Sequence, residues 1–527
     1  MEATDRARAT HALPLPPLLG VLLAAVLVRA LGYTGYFGSD EVTYTEFAFK
    51  LLHGDWRVDP YVGAHRYGIN IPVALSAALF GQNEFGAAFW SLLCSVAEVG
   101  LVAWFGMRWF GLRVGLLAGL LLAVLPIHAH HAGRLLADAP LALAITASFL
   151  FFFEGERSGS ARAYLIAGLA AGWSFWVKQG TIFYLLVFLL YPLVFRRFDR
   201  RWGWMVLGFA LAVGANLAWF AALTGDALYI VRAVRDRLGS GYLEEGLAGG
   251  SIVDAPGFYL EYLFIKVQHT VALGLLFVAG LFAGPRGGAA RMAFGQVLWW
   301  GVGLVAVLSV LPISFAPLVF VPKQSNYMLM FVAPLCLVGA FALARLSARA
   351  SVVVTAAIVA VSLLLALLQQ ASVRVFTANS QAAVEFASAR PDAVVYATTN
   401  AYRAATFHNL VKPVRAPVRI GSMEDLAAAS TDRDRLVILD TQTWAWASRE
   451  PIRRLQDVPA CWQREATLAP RADGAGVRLA ATSASMLGTV PGLAAVAARL
   501  AALSAPSPAY VYRLPAGCAA PAVAKPR

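Results

Sequence analysis

The 527-residue chain is strongly apolar, with 59% hydrophobic residues, only 14% charged residues and a mean hydropathy of +0.64. Soluble proteins contain about 45–50% apolar and about 25% charged residues, so this composition excludes a soluble protein and indicates an integral membrane protein. The formal net charge of +13 does not indicate a nucleic-acid partner. Much of the basic charge lies in short clusters between apolar runs, where it sets membrane topology.

Apolar runs recur along most of the chain. A membrane-spanning helix needs about 20 mostly apolar residues, and eleven segments approach this pattern. The first follows a basic start without a small-residue cleavage site, so we expect it to be retained as a span. The predicted spans are residues 18–33, 85–105, 114–127, 139–153, 163–177, 181–195, 204–223, 270–282, 294–312, 327–344 and 352–368.

Basic residues near the span ends predict the orientation. Every second connection carries them, which is typical of cytoplasmic loops. This places the amino terminus inside, and residues 37–84, 128–138, 226–269 and everything after Gln370 outside. We therefore predict a multi-pass protein of the cell inner (plasma) membrane. The basic residues are Arg6, Arg8, Arg108, Arg113, Arg157, Arg162, Arg196, Arg197, Arg200, Arg201, Arg286, Arg291, Arg345 and Arg349.

After Gln370 the composition becomes an ordinary soluble mixture. We predict a transmembrane domain at residues 1–370 and an extracytoplasmic α/β domain at residues 371–527. Its helix-like segments are 380–389 and 423–429, and its strand-like segments are 393–398, 435–440 and 510–514. Cys461 and Cys518 both lie in this outward tail, where an oxidising compartment permits a disulfide bond between them. The predicted fold class is an α-helical polytopic membrane protein with a C-terminal extracytoplasmic α/β domain.

Five cations lie at the predicted outer ends of spans, where the positive-inside rule does not explain them. Together they predict a cationic basin at the outer leaflet that suits a phosphate or pyrophosphate headgroup. The alternative for each cation is snorkelling or pairing with a nearby carboxylate, as Arg134 would pair with Asp138. The five residues are Arg29, Arg66, Arg134, Lys178 and Lys323.

Two acidic sites are predicted on the same side. Asp40 and Glu41 follow a flexible turn and precede a helix that we expect to begin near residue 42. The alternative to a catalytic role is that Asp40 or the preceding Ser39 caps this helix. Asp138 ends a second turn at the mouth of a span. Two acidic loops that converge on one cationic basin predict a reaction centre.

Histidines precede the second acidic site. With a carboxylate, His128 and His131 are candidate ligands for a divalent metal, although their spacing is not a strong ligand signature. The alternative is that they are polar residues at a water-filled mouth. Glu98 lies midway along the second predicted span, where a carboxylate is costly and must face protein or water.

These residues resemble the motifs of a known family, the polyprenyl-phosphate-dependent glycosyltransferases with the GT-C fold, which include protein O-mannosyltransferases and lipid A aminoarabinose transferases. The Asp40-Glu41 pair with Tyr44 is similar to the family's DExxY signature. Residues 134–141 resemble its acidic-proline turn, and residues 323–327 resemble its basic-aromatic motif before a span. The chain departs from the aminoarabinose branch at residues 65–68, where relatives carry Lys-Pro-Pro, and at Asn326, where Arg is common.

The resemblance implies an inverting transfer of a sugar from a polyprenyl phosphate to an acceptor hydroxyl or amine. The implied catalytic residues are Asp40 as the base, Glu41 to orient the acceptor or the sugar, and Asp138 to position the acceptor or assist the base. The implied substrate-binding residues are Arg29, Tyr44, Arg66, Arg134, Lys178, Lys323 and Tyr327. No nucleotide or other cofactor is required, and a divalent metal is possible. The implied partners are the lipid donor, membrane lipids, and a protein, lipid or glycan acceptor.

Two alternatives come from other classes of protein. A transporter or lipid flippase also needs many spans and basic headgroup contacts, but it often shows internal repeats and polar residues at mid-membrane depth. A noncatalytic subunit of an envelope assembly would use the C-terminal domain for interaction. In that case Asp40 and Asp138 would be replaceable without loss of function.

Overall fold

The computed structural model describes residues 15–59, 61–236, 256–315, 318–412, 417–429, 434–443 and 451–518. Helices dominate residues 15–388. In chain order the elements of this part are α1 Leu15–Leu31, α2 Asp40–Leu52, α3 Tyr67–Phe80, α4 Glu84–Phe110, α5 Leu112–Val124, α6 Pro126–Ala132, α7 Asp138–Ser158, α8 Ala161–Val177, α9 Leu185–Phe195, α10 Gly203–Thr224, α11 Tyr229–Asp236, α12 Phe258–Phe264, α13 Val267–Thr270, α14 Leu273–Ala283, α15 Gly288–Val310, β1 Pro312–Phe315, β2 Leu318–Phe320, α16 Val332–Arg345 and α17 Ala348–Ser388.

Each of the eleven predicted spans contains a helix. Among the described residues, five helices are long and apolar enough to cross a membrane. The number is six if α5 and α6, which are bent by 61° at a break, form one span. Shorter apolar helices, including α1, α14 and α16, accompany them. The chain is a mostly helical membrane protein, and the count of eleven spans stays a prediction.

Two helices lie within residues 37–84, which were predicted only as an outer loop containing one helix. Helix α2 begins at Asp40, close to the predicted start. Helix α3 was not predicted. Gly68 at its start packs on the end of α8, and Ala77 near its end packs on the start of α4. Both ends of α3 therefore contact the same end of the bundle.

The arginine-rich connections lie together at the other end of the bundle. Arg113 donates a 3.0 Å hydrogen bond to the carbonyl of Leu346, and Arg157 donates one of 3.3 Å to the carbonyl of Ala289. These bonds join connections that are far apart in the chain. We call this the arginine end and the opposite one, where Asp40 and Asp138 begin helices, the acidic end. Arg6 and Arg8 lie outside the described residues.

The last helix of the bundle, α17, has 41 residues and runs through Gln370 without a break. Gln370 is buried at the junction with the rest of the chain. Its amide nitrogen donates to the carbonyls of Leu31 and Tyr33, both at 2.9 Å, and its oxygen accepts from the N–H of Gly476 at 3.0 Å. The predicted boundary at residue 370 therefore falls inside a helix that is shared by both parts, and the division into two domains stays a prediction.

The part after α17 contains a five-stranded mixed sheet in the order β4-β3-β5-β7-β6. Strand β3 is parallel to β4 and β5, whereas β7 is antiparallel to β5 and β6. The predicted strand-like segments correspond to β3, β5 and β7, and Cys461 and Cys518 form the predicted disulfide bond. The elements are β3 Val395–Ala397, α18 Thr399–Val411, β4 Ile420–Gly421, α19 Met423–Ala428, β5 Arg435–Leu439, β6 Gln463–Leu468, α20 Ala475–Gly488, α21 Ala494–Ala502 and β7 Ala509–Leu514.

Candidate active site

Asp40 and Glu41 have different environments although they are adjacent in the chain. Glu41 is buried, and its carboxylate accepts the backbone N–H groups of Phe37, Gly38 and Ser39 at 2.6, 2.9 and 3.1 Å. It therefore fixes the turn before α2. The Asp40 side chain is 42% exposed at the acidic end. Ser39 occupies the N-cap position but makes no side-chain capping bond. Only Asp40 of the pair is available to a substrate.

Asp40 lies beside a cation and a phenol. Its Oδ2 atom is 3.7 Å from Nη1 of Arg66, and its Oδ1 atom accepts a 3.3 Å hydrogen bond from the hydroxyl of Tyr61. Arg66 also donates to the hydroxyl of Tyr44 and lies 5.7 Å from the centre of that ring. Burial raises the pKa of Tyr44 far above its ordinary value, so this phenol stays neutral. Tyr44 thus holds Arg66 next to Asp40.

The second carboxylate has its own cation. Asp138 is buried at the start of α7, and its Oδ1 atom accepts from Nζ of Lys178 at 3.2 Å and from the amide nitrogen of Asn326 at 3.0 Å. Lys178 also lies 4.7 Å from the centre of the Tyr327 ring. The prediction included Lys178 and Tyr327 but treated Asn326 only as a departure from the family pattern. An amide here donates to Asp138 without adding a charge.

One contact joins the loops that carry these carboxylates, and a second joins the segments that carry their cations. The guanidinium of Arg134, four residues before Asp138, lies 4.0 Å from the centre of the Phe37 ring, three residues before Asp40. The amide of Gln179 donates a 3.2 Å hydrogen bond to the carbonyl of His65. Lys178 and Arg66 are the chain neighbours of those two residues. Asp40 and Asp138 therefore begin helices at the same end of the bundle, on loops that touch.

Lys323 lies buried before α16. Its ammonium donates a 2.7 Å hydrogen bond to the carbonyl of Val321 and lies 5.5 Å from the centre of the Phe320 ring. It follows the β1–β2 hairpin and precedes the turn that carries Asn326 and Tyr327. This position places Lys323 next to the segment that reaches Asp138.

Arg29 and His128 do not contact Asp40 or Asp138 in the described structure. They belong to a buried network in the bundle interior. Arg29 contacts His128 at 2.7 Å, and His128 in turn contacts Glu98 at 3.0 Å. Within the described part of the chain, no group of three or more His, Cys, Asp or Glu side chains is arranged to hold a metal ion. The predicted ligands His128 and His131 are thus not joined by further ligands there.

The C-terminal part packs directly on the turn before Asp40. Arg403 of α18 donates a 3.1 Å hydrogen bond to the carbonyl of Gly38, and the hydroxyl of Tyr36 donates one of 3.2 Å to the carbonyl of Asn400. The rings of Tyr36 and Phe407 stack with their centres 5.1 Å apart. This contact between the sheet-containing part and the Asp40 turn was not predicted.

Sequence comparison finds similarity to known glycosyltransferases over part of the chain. Residues 69–219 match the family described as dolichyl-phosphate-mannose-protein mannosyltransferase. A Pseudomonas fluorescens protein named undecaprenyl phosphate-alpha-4-amino-4-deoxy-L-arabinose arabinosyl transferase 2 is 31% identical over 228 residues, which are 40% of this chain and 41% of that protein. A similarly named Pseudomonas aeruginosa protein is 29% identical over 38% of each chain. The chain thus matches about two fifths of the length of these relatives.

Structural comparison extends the likeness to most of the chain. The crystal structure of ArnT from Cupriavidus metallidurans bound to undecaprenyl phosphate has a TM-score of 0.56 at 16% identity, over 83% of this chain and 94% of that one. An Archaeoglobus fulgidus oligosaccharyltransferase in complex with Zn and sulfate has a TM-score of 0.52 at 12% identity, over 94% and 88%. The chain therefore has the GT-C fold of these membrane glycosyltransferases, as its motifs predicted.

Proposed function

We propose that this protein is a membrane glycosyltransferase that moves a sugar from a polyprenyl phosphate to an acceptor at the acidic end of the bundle. One observation carries the proposal. In a GT-C fold, two carboxylates, Asp40 and Asp138, begin helices on touching loops, and each lies beside its own cation. An acid–base group next to cations is what transfer from a lipid phosphate requires.

The reaction is a single displacement at the anomeric carbon. The bond from the acceptor oxygen or nitrogen to that carbon forms while the bond from the carbon to the phosphate oxygen breaks, which inverts the anomeric centre. Asp40 takes the proton of the acceptor, because its side chain is exposed at the acidic end. The negative charge that leaves with the lipid phosphate is stabilised by the nearby cations. No external nucleotide is needed, because the leaving group is already on the donor.

Arg66 and Lys178 are the cations best placed to bind the donor phosphate. Arg66 lies between Tyr44 and Asp40, and Lys178 lies between Tyr327 and Asp138, so both charged groups are fixed before the donor arrives. Arg134 and Lys323 lie on neighbouring segments and extend the cationic surface. Cationic side chains that are already held in place avoid a reorganisation cost during the reaction.

The proposal assigns new tasks to three other residues of the predicted site. Glu41 shapes the turn that presents Asp40, because both of its oxygens accept backbone N–H groups. Asp138 holds Lys178 and Asn326 in place. Arg29 lies in the interior and acts on the site only through the protein. The sugar-transfer chemistry is therefore concentrated at Asp40, Arg66 and Lys178.

The membrane arrangement follows from the same proposal. Eleven spans with the arginine end in the cytoplasm place the acidic end and residues 371–527 outside the inner (plasma) membrane. The donor is then a lipid that presents its sugar at the outer leaflet, surrounded by membrane lipids. The acceptor is a protein, a lipid or a glycan on the same side.

Replacing Asp40 tests the proposed base. We expect Asp40→Asn to reduce transfer from a polyprenyl-phosphate sugar by roughly 10²–10⁴-fold, because the amide cannot accept the acceptor's proton. The measurement is sugar transfer by purified protein in detergent, with a panel of protein, lipid and glycan acceptors. Asp55→Asn is the matched control, because Asp55 lies in the same loop and forms an ion pair with the exposed Arg57. Near-normal turnover by a folded Asp40→Asn variant would remove Asp40 from this role.

A further inference from the structure

Glu98 lies midway along α4 and is completely buried. Its carboxylate is nevertheless well satisfied. Its Oε2 atom contacts Nε2 of His128 at 3.0 Å, and its Oε1 atom accepts from the hydroxyl of Thr146 at 2.8 Å. A buried carboxylate inside a membrane helix is expensive unless it has such partners, and an intramembrane ionisable group usually has a function. None of the sugar-transfer steps above uses Glu98.

Arg29 completes the network from α1. Its guanidinium donates to the hydroxyl of Ser95 at 2.8 Å, to the carbonyls of Ala25 and Ala123 at 2.9 and 3.0 Å, and to Nδ1 of His128 at 2.7 Å. A guanidinium only donates hydrogen bonds, so Nδ1 of His128 is the acceptor and Nε2 carries the proton that faces Glu98. A neutral imidazole therefore bridges a positive and a negative side chain.

These bonds surround the break between α5 and α6. Ala123 lies just before the break and His128 just after it, and the two helices are bent by 61°. Inside a membrane, backbone carbonyls at a helix break need a partner from elsewhere in the protein. Arg29 provides a bond to the carbonyl of Ala123, and His128 is held from both of its ring nitrogens. The break is thus fixed by side chains from α1 and α4.

The helices that meet here lead to both acidic loops. Helix α1 carries Arg29 and continues into the turn before Asp40. Helix α6 carries His128 and continues through Arg134 to Asp138. Thr146 is eight residues after Asp138 on α7, or about 12 Å at 1.5 Å per residue. One buried network therefore holds the elements from which both carboxylates project.

We propose that Arg29, Glu98 and His128 form a buried positioning triad that fixes the α5–α6 break and, through it, the placement of the Asp138 loop relative to the Asp40 turn. The task assigned to the triad is positioning, not contact with a substrate. Its effect on sugar transfer rests on the proposed function, whereas its effect on the break does not. The structural consequence is that loss of the triad loosens residues 126–138 specifically.

The test separates positioning from simple charge compensation. Arg29→Leu and Glu98→Leu each leave an opposite charge buried, so both variants should lower the thermal midpoint in detergent. The double variant Arg29→Leu with Glu98→Leu removes both charges and should recover most of that midpoint. In the double variant, we expect hydrogen–deuterium exchange of residues 126–138 to remain roughly tenfold faster than in the unaltered protein, because the Ala123 carbonyl and His128 have lost their partners.

A double variant with unaltered exchange at residues 126–138 would overturn the proposal, because the triad would then only balance charge. Cys94→Leu is the matched control, since Cys94 is buried on α4 without a place in the triad. If a leucine variant does not fold, His128→Asn tests the same point while both charges remain, and unaltered exchange there would also contradict the triad. Because exchange is measured without substrate, failure of the proposed sugar transfer would be seen separately in the transfer assay.

Discussion

At the scale of single residues, neighbouring side chains of the same type have separate tasks. Asp40 and Glu41 are adjacent carboxylates. The Asp40 side chain is partly exposed beside Arg66, whereas Glu41 is buried and accepts hydrogen bonds from three backbone N–H groups. The cause is the geometry of the first turn of α2, where successive side chains point in different directions, so that Asp40 faces the acidic end and Glu41 folds back to the preceding turn. The same residue type thus serves chemistry at one position and structure at the next.

The cations of the candidate site permit a residue-scale prediction. We expect Arg66→Ala to raise the donor KM by roughly 10–100-fold and to change the acceptor KM much less, because a charged hydrogen bond to phosphate is lost. Steady-state transfer measured against each substrate in turn gives both values. Arg57→Ala serves as the control, since the Arg57 side chain is 90% exposed and forms an ion pair with Asp55. Equal rises in both constants would argue against a phosphate contact.

At the scale of elements, the turn before α2 depends on the packing of α18. Gly38 has a φ of +100°, and the amide group of Asn400 occupies the space where a side chain would begin. Arg403 from the same helix donates to the carbonyl of Gly38. A helix of the C-terminal part thus contacts the backbone two residues from the proposed base. This arrangement makes the turn sensitive to both parts of the protein.

Substituting two glycines separates backbone strain from packing. Gly38→Ala and Gly54→Ala both place a side chain at positive φ, which costs about 1–2 kcal/mol in each case. Gly54 has open space around it, whereas Gly38 lies against Asn400. We therefore expect Gly38→Ala to lower the thermal midpoint and the transfer rate more than Gly54→Ala does. Indistinguishable midpoints and rates in detergent would show that α18 does not constrain the turn.

Helix prediction failed in this region for a physical reason. Helix α3 has 14 residues, fewer than the roughly 20 that mark a membrane span, and both of its ends contact the same end of the bundle. Its sequence is as apolar as that of some predicted spans, so hydropathy alone did not reveal its place, which is set by contacts with the distant ends of α4 and α8. Helix α2 was partly predicted, since its start follows a recognisable turn. Its burial under α18 depends on residues more than 350 positions later.

At the scale of the whole molecule, a buried carboxyl group follows strand β5 in the C-terminal part. Asp440 is fully buried, and its oxygens accept from the hydroxyl of Ser380 at 2.9 Å and from the N–H of Gln442 at 3.0 Å. The amide of Asn400 donates to the same hydroxyl at 2.9 Å. Asp440 is thereby connected to α17 and to the helix that covers the Asp40 turn. Burial raises the pKa of Asp440 to about 6.

This pKa predicts how stability depends on pH. The folded protein favours the neutral carboxyl group, so the contribution of Asp440 is fully present below its unfolded pKa of 3.8 and is lost as pH rises through about 6. The change is on the order of 3 kcal/mol. We expect the thermal midpoint of the unaltered protein to decrease as the pH is raised from 4 to 6.5. The decrease is measured relative to the midpoint of Asp440→Asn, in which this position does not titrate. Asp392→Asn replaces an exposed carboxylate, so its thermal midpoint should change with pH in the same way as that of the unaltered protein. Parallel midpoint curves for Asp440→Asn and the unaltered protein would refute this titration.

The sequence by itself determined the features that depend on local composition. Apolar runs located the helices, the arginine-rich connections lie at one end of the bundle, and Cys461 and Cys518 form the predicted disulfide bond. Short motifs also indicated the GT-C fold. The first three follow from transfer of nearby residues between water and lipid, or from the redox compartment, so no distant partner needs to be known. The fold rests on the resemblance of the motifs to a family.

Only the tertiary structure decided which side chains meet. Asn326 reaches Asp138 across 188 positions, and Arg29 reaches His128 across 99. Arg29 and Glu98 carried recognisable charges, but their burial around the α5–α6 break could not be derived from either segment alone. Hydrogen bonds and ion pairs need atoms within about 3–4 Å, and packing of the folded chain sets such distances. For that reason the kind of site was predictable, whereas the tasks of Glu41, Glu98 and Arg29 were not.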